Sequence, residues 1–440
     1  MATSAPSTPS QRCFVLLDEL DAALDSPTSQ RSLPYCVVLC LVSAFIWTWS
    51  ISWVPPLLHN QASGGSSPAL HPVAIKVSSL PSSAVVVDCG SGKAAAYRYS
   101  FNKEGAPYQE MKLKVALKLP ELVVAAIDSP VALEPLWGLI DAAALQVESN
   151  TSKPAPIFFG ATGGVRAALS DGSLSETYLK TFEHALRARY HNAAVHFEVL
   201  SGEREAQLEL RATQYAFADA AALFGAEASE MGSLSGGGQT CQLAWGKSST
   251  NGNFKAIVLE ADLFGAQRVT NTVGLTAALA WWDEYLTQKI DEAGLAKAPG
   301  SRLKGPFGGI AMQATAAERI GLAGRVVTAE NVVRGCRELL AHAEGDHSLE
   351  SAWWEAYYFD EVARGSNPYG LDAPTFNLLT VLTVARLKTV VEAALEPTAL
   401  LFFTRARNLR SDLPKSGASS AGHPTDVEWA LGALLAYPWD

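Results

Sequence analysis

The sequence is poor in charge, in basic residues and in cysteine. Only 18% of its 440 residues are charged, and 34 Lys and Arg face 44 Asp and Glu, a formal net charge of −10. A general nucleic-acid binder needs a basic footprint, so that class is excluded. Phosphate chemistry is not, because backbone amides and a metal ion hold phosphate without a basic surface. Three of the six cysteines (Cys13, Cys36 and Cys40) fall in the first 40 residues. Cys89, Cys241 and Cys336 remain for the body, an odd number that excludes a multi-bridge framework and lacks zinc spacing. The eight histidines form no His-Glu-x-x-His pair. Against these absences stands a 48% hydrophobic content, which excludes disorder, and a length that suits two domains with accessories.

The shortage of charge has an uneven source. No residue from Ser32 to Ile75 carries a formal charge. Within that gap Cys36 to Val54, CVVLCLVSAFIWTWSISWV, is long enough to cross a hydrocarbon core of roughly 30 Å as a helix. Trp47, Trp49 and Trp53 crowd its far end as an interfacial belt, and Pro55 and Pro56 stop it. Arg12 and Arg31 both precede the span, so the positive-inside rule puts the N-terminus in the cytosol and the body in the lumen. A cleaved signal peptide would have a shorter leader and a shorter apolar run. The expected layout is a cytosolic tail at 1–32, an anchor at 33–56 and a Pro/Gly/Ser-rich stem at 57–81. The chain is thus expected to be a single-pass type II membrane protein. The Asn150-Thr151-Ser152 triplet makes Asn150 a glycosylation acceptor compatible with secretory passage.

Four glycine-marked segments carry the chemistry. Ala84 to Phe101 reads as a strand, a tight turn at Gly90-Ser91-Gly92 and a returning strand. Such a turn lets amides approach a phosphate without hindrance from Cβ atoms. It is not a P-loop, because Lys93 is followed by Ala94 and no Gly lies five residues before Gly92. Met231 to Trp245 repeats the plan around Gly236-Gly237-Gly238 and Gln239. In PIFFGATGGVRAAL a strand ends at Thr162, Gly163 and Gly164 ahead of a helix carrying Arg166. There, amides and a hydroxyl can face an anion. In HFEVLSGEREAQLEL a helix starts at Ser201 or Gly202 with Glu205 in its first turn. Taken alone, Glu205 reads as a capping carboxylate.

In their order these segments resemble the apyrase family of nucleoside tri- and diphosphate phosphohydrolases. DCGSGK, GATGGVR, SGEREAQ and SGGGQT are similar to its first four motifs, WWEAYYFDEVARG to its fifth and VEWALGALL to its terminal helix. The resemblance implies an α/β fold of the two-lobed actin-like ATPase (RNase H-like) type, mixed sheets with flanking helices, preceded by one transmembrane helix. It implies lobe I at 82–208 plus 425–440 and lobe II at 209–424. It further implies metal-dependent release of phosphate from nucleoside di- or triphosphates. Gly90, Ser91, Gly92, Lys93, Thr162, Gly163, Arg166, Gly236, Gly237, Gly238 and Gln239 would hold phosphate. A divalent cation (calcium, magnesium or manganese) would be held by Asp88 through water. Glu205 would be the base that activates the attacking water, and Tyr357, Tyr358 and Phe359 would face the nucleobase. Arg166 could instead form a structural ion pair. The single anchor is similar to that of the Golgi and endoplasmic-reticulum diphosphatases.

The motifs also depart from the family. Counted from the first Gly of the fourth motif, the family's Asp falls on Leu234, with Ser233 and Ser235 beside it as uncharged substitutes. The hydroxyl after those glycines is Gln239, and Ala94 and Ala95 replace a Thr and an Arg in the first motif. Two alternatives therefore accompany the diphosphatase reading. One is a nucleotide-binding homologue impaired in turnover, the other an exopolyphosphatase, a class with a very similar SGxxEA motif.

Overall fold

β1 (Ser83–Cys89) has apolar neighbours on both faces, as the β-branched run AVVV requires. Val85, Val87 and Cys89 point into one core, Ala84 and Val86 into another, and alternation sends Asp88 to the second side. The computed structural model describes residues 81–437 apart from 103–105, 145–153, 219–220, 222–223, 249–252, 295–301, 346–348, 350, 365–369, 405 and 408–424. All of these belong to one compact unit, His71–Asp440. The expected tail, the anchor, the stem up to its last residue and Asn150 lie outside the described residues. Among the described residues no helix is long and apolar enough to cross a membrane.

In sheet I, β1 pairs antiparallel with β2 (Ala94–Phe101), which pairs with β3 (Pro107–Val115). On its other side β1 runs parallel to β4 (Ile157–Ala161), followed by β5 (Val195–Val199). In sheet II, β6 (Gly232–Gly236) pairs antiparallel with β7 (Thr240–Trp245) and β7 with β8 (Lys255–Glu260). β6 also runs parallel to β9 (Phe307–Gly309), next to the parallel β11 (Leu400–Phe403), and β10 (Val326–Thr328) closes the edge. The order β3-β2-β1-β4-β5 thus recurs as β8-β7-β6-β9-β11. Each sheet is mixed, with one glycine hairpin beside parallel strands, as the expectation of mixed sheets in an α/β fold requires. β12 (Ala406–Arg407) and β13 (Thr425–Asp426) form a separate ribbon.

Helices α1 (Leu119–Asp128), α2 (Glu134–Ala144), α3 (Gly163–Ser170) and α4 (Glu176–Arg189) cover the outer face of sheet I through Leu119, Trp137, Ile140 and Phe182. α5 (Gly202–Ala216) packs on β6, β7 and β8 and on the terminal helix α12 (Trp429–Ala436), which covers β1. The expected lobe junction at 208/209 falls inside α5. α5 and α12 approach so closely that a Cβ on Gly432 would meet the Leu208 carbonyl oxygen at 1.8 Å. The far face of sheet II carries α6 (Leu263–Val273), α7 (Leu275–Glu292), α8 (Ala311–Arg319), α9 (Ala329–Gly345), α10 (Ala352–Ala363) and α11 (Ala373–Ala394). α11 starts at Asp372, whose carboxylate accepts from the Thr375 amide at 2.9 Å, and most of its length is buried as the central helix of that layer. The body's three cysteines are buried and unbridged.

Candidate functional site

The two hairpins close in the same way. After β1 the Gly90 amide donates to the Lys93 carbonyl at 2.9 Å, leaving Ser91-Gly92 at the tip. After β6 the Gly237 amide donates to the Thr240 carbonyl at 2.9 Å, leaving Gly238-Gln239 at the tip. This register makes Gly90 correspond to Gly237, Gly92 to Gln239, Lys93 to Thr240 and Asp88 to Ser235. It corrects the count from sequence, which put Leu234 in the place of the second carboxylate. Leu234 is fully buried in the core of sheet II, and strand alternation turns it away from α5. Ser233 and Ser235 face α5, but their hydroxyls are engaged there. Ser235 donates to Glu209, and Thr213 donates to Ser233 at 3.2 Å.

The start of α3 meets both hairpins. A Cβ on Gly164 would lie 2.6 Å from Ser91 Cα, so only glycine permits this approach to hairpin 1. A Cβ on Gly163 would lie 3.2 Å from Gln239 Oε1 of hairpin 2. Thr162 is the N-cap, yet its amide and hydroxyl both donate to the Cys89 carbonyl, at 3.1 and 3.4 Å, and tie α3 to β1. Among the described residues, the amides of Ser91, Gly92, Gly163, Gly164, Gly238 and Gln239 donate to no backbone carbonyl. Three groups of amides therefore gather where the α3 N-terminus touches the two tips, an arrangement suited to phosphate oxygens.

The charged groups lie beside them. Glu205 is 7% exposed in the first turn of α5, which Ser201 caps by accepting from the Arg204 amide at 3.1 Å. Its Oε2 pairs with Arg166 Nη1 at 3.2 Å, and the same nitrogen donates to the Leu200 carbonyl at 2.5 Å. Of the two roles open for Arg166, the structure thus displays the ion pair; its Nη2 is buried without a hydrogen-bond partner. Asp88 is 8% exposed, and its Oδ1 is likewise buried without a partner. Burial, and then the charge of Glu428, push its carboxyl up to about 7, against the pull of Lys93. The orphaned Asp88 carboxylate oxygen is a hard oxygen donor of the kind that fits a divalent cation. Among the described residues no group of three or more His, Cys, Asp or Glu side chains converges. One carboxylate with water and phosphate oxygens is a sufficient set for magnesium-type binding.

Sequence reasoning missed two carboxylates. Glu428, the N-cap residue of α12, accepts from Tyr97 Oη and from Lys112 Nζ at 3.2 Å; Lys112 also pairs with Asp426. Burial opposes its charge, but Lys112 and Lys93 hold its carboxyl well below the usual range. Its only sequence signal was an acid directly before the Trp429 helix. Glu209, 4% exposed, follows Glu205 by one turn, a spacing legible in GEREAQLEL. Burial, then the nearby Glu205 charge, raise its carboxyl well above normal.

The aromatic residues expected at a base all lie on α10. On α10, Tyr357 stacks on Trp353 at 5.4 Å and its hydroxyl is buried. Tyr358 donates to the Leu371 carbonyl at 2.9 Å and packs edge-on against Phe376. Phe359 is 60% exposed. Their ring contacts and hydrogen bonds, among the described residues, stay within α10, α11 and Leu371.

No protein-family model matches the chain, and no curated protein matches it. Solved structures are similar to it at low identity. The PPX-GPPA enzyme of Aquifex aeolicus is 13% identical over 81% of this chain and 99% of its own, with a TM-score of 0.47. An exopolyphosphatase from Cytophaga hutchinsonii is 14% identical over 73% and 94%, with a TM-score of 0.41. A nucleoside triphosphate hydrolase from Neospora caninum is 10% identical over 80% and 92%, with a TM-score of 0.42. At TM-scores below 0.5 these likenesses carry no assignment of fold or activity, and the resemblance to apyrases rests on the motifs alone.

Proposed function

We propose that the chain hydrolyses the terminal phosphoanhydride bond of nucleoside diphosphates, and of triphosphates, releasing inorganic phosphate. One observation carries this reading: the meeting of three sets of amides, from both hairpins and the α3 N-terminus, beside Glu205 and Asp88. Those amides would hold the non-bridging phosphate oxygens. Glu205 takes a proton from water as the water oxygen attacks the terminal phosphorus. The bridging P–O bond breaks on the opposite side, and its electron pair stays on the leaving nucleotide. Arg166 fixes the Glu205 carboxylate for that transfer. A divalent cation near Asp88 would supply neutralisation of phosphate charge. We place the body in the lumen of a secretory-pathway membrane, Golgi or related, on the strength of the 36–54 segment.

A second reading, inorganic polyphosphate as substrate, has one observation in its favour. Tyr357 and Tyr358 are engaged in the packing of α10 and need not serve a base. The test is a phosphate-release screen of the detergent-solubilised full chain with calcium, magnesium or manganese. Substrates are a panel of nucleoside di- and triphosphates and long-chain polyphosphate. Release from diphosphates, lost in a folded Glu205→Gln variant, supports the first reading; a preference for polyphosphate supports the second. Binding without release from any of them would mark an impaired homologue and overturn both.

A further inference from the structure

Arg386 of α11 is fully buried and has no carboxylate partner among the described residues. Its Nη1 donates to the carbonyls of Gly237 at 2.9 Å, Ala261 at 3.3 Å and Thr240 at 3.4 Å. Its Nε and Nη2 have no hydrogen-bond partner, and Nη2 lies 3.2 Å from where a Cβ on Gly236 would stand. A buried guanidinium without an anion is costly, so a core arginine here calls for an explanation that packing does not provide.

The hairpin above it supplies one. Gly237 O is taken by Arg386, Gly238 O by the Leu263 amide at 2.8 Å, and Gln239 O by the Ala261 amide at 2.8 Å. In a trans peptide the carbonyl and the following amide point opposite ways. Anchoring the carbonyls of Gly237 and Gly238 therefore turns the amides of Gly238 and Gln239 outward, toward the start of α3. The corresponding hairpin 1 carries a lysine, Lys93, in its own turn, where hairpin 2 has Thr240. Arg386 puts a positive charge behind hairpin 2 instead.

We propose that Arg386 is the positioning residue of the second hairpin. It locks the Gly238 and Gln239 amides outward and lends them positive charge for a phosphate group of the substrate. This rests on the reading that the hairpins take phosphate.

The experiment compares Arg386→Met and Arg386→Lys with the parent full chain. Amide hydrogen exchange is followed in peptides covering 232–245 and 84–101, with and without inorganic phosphate as the probe, alongside steady-state kinetics. In Arg386→Met, exchange should quicken at 232–245 and not at 84–101, and phosphate should no longer protect 232–245. KM should rise about tenfold or more with kcat within about threefold, and Arg386→Lys should recover part of the loss. An unchanged KM with undiminished phosphate protection would overturn the proposal. So would faster exchange in both peptides with Arg386→Lys no better than Arg386→Met, the mark of a purely structural arginine. If the parent turns over no substrate, the hydrolase reading fails, and the phosphate-protection comparison still decides the role of Arg386.

Discussion

Asp88 and Ser235 hold corresponding places in the two hairpins, each two residues ahead of the glycine whose amide closes the turn. Sheet I offers a carboxylate there, and sheet II offers a hydroxyl that donates to Glu209 of α5. The carboxylate next to hairpin 2 thus comes from the helix and not from the strand. Leu234→Asp, which motif counting suggests as a restoring change, should therefore act as a core lesion. It puts a charge into the sheet II core at a fully buried position, at a cost of about 4 kcal/mol or more. Thermal unfolding should report that loss, with no gain in phosphate release; a stable and more active variant would contradict the register.

Arg166 and Glu205 join α3 to α5 across a partly buried pair. Arg166→Met removes the cation and leaves the Leu200 carbonyl without that donor, so the Glu205 side chain loses its fixed orientation. The expected result is a fall in kcat of about 10- to 100-fold with a modest change in KM. Arg166→Lys should lie between, because an ammonium keeps the charge but not the reach and planar geometry of the guanidinium. Phosphate release under saturating substrate checks this, and an unchanged kcat would remove Arg166 from the machinery.

Much of the site was legible in the sequence because glycine marks it. A glycine turn between two apolar runs occurs twice, and GATGGVR at a strand end announced the α3 N-terminus. Its first-turn place alone made Glu205 a capping carboxylate, the resemblance of SGEREAQ singled it out as a base, and the structure pairs it with Arg166. What escaped depends on long-range packing. Glu428 joins Tyr97 and Lys112 across more than 300 residues of chain, and Arg386 reaches hairpin 2 from α11. No local period encodes either contact. The correspondence of Asp88 to Ser235 was misjudged for a related reason. A run of three glycines offers several alignments, and only the turn hydrogen bond and the facing of β6 choose among them.

Asp88 links stability to pH. Its folded carboxyl titrates near about 7, above the ordinary value of 3.8, chiefly through burial. Between these values the folded state binds more protons than the unfolded one, so this group's contribution to stability falls as pH rises. A shift of about three units corresponds to about 4 kcal/mol lost across that window at 8% exposure. Metal-free protein should lose this stability from about pH 4 to 7, and Asp88→Asn should flatten the profile. A divalent cation competes with the proton, so stabilisation by added magnesium should grow up to about pH 7 and level off above it. Denaturant melts with and without chelator test both halves. A parent and an Asp88→Asn variant with the same pH profile would show that another group controls it.

Gly163 and Gly164 separate two kinds of crowding at the start of α3. A Cβ on Gly164 would stand 2.6 Å from Ser91 Cα and 3.2 Å from Ser91 N and Gly90 O, all of them backbone of hairpin 1. Backbone held in a closed turn cannot move aside without displacing the tip amides, so Gly164→Ala should cost about 1–3 kcal/mol and weaken phosphate binding as well. A Cβ on Gly163 would meet only side chains, Gln239 Oε1 at 3.2 Å and Arg166 Nη2 at 3.6 Å. Those can turn away, so Gly163→Ala should leave stability within about 1 kcal/mol of the parent. Its effect should stay small and local to hairpin 2, because Gln239 is the group that must give, while Arg166 stays at ordinary contact distance and keeps its hold on Glu205. Melting temperature and the KM and kcat of the two variants, measured side by side, separate the effects. Gly164→Ala should be the less stable and show the larger KM, and Gly163→Ala should keep kcat near that of the parent. The reverse order would mean that hairpin 1 does not seat against α3 in this way.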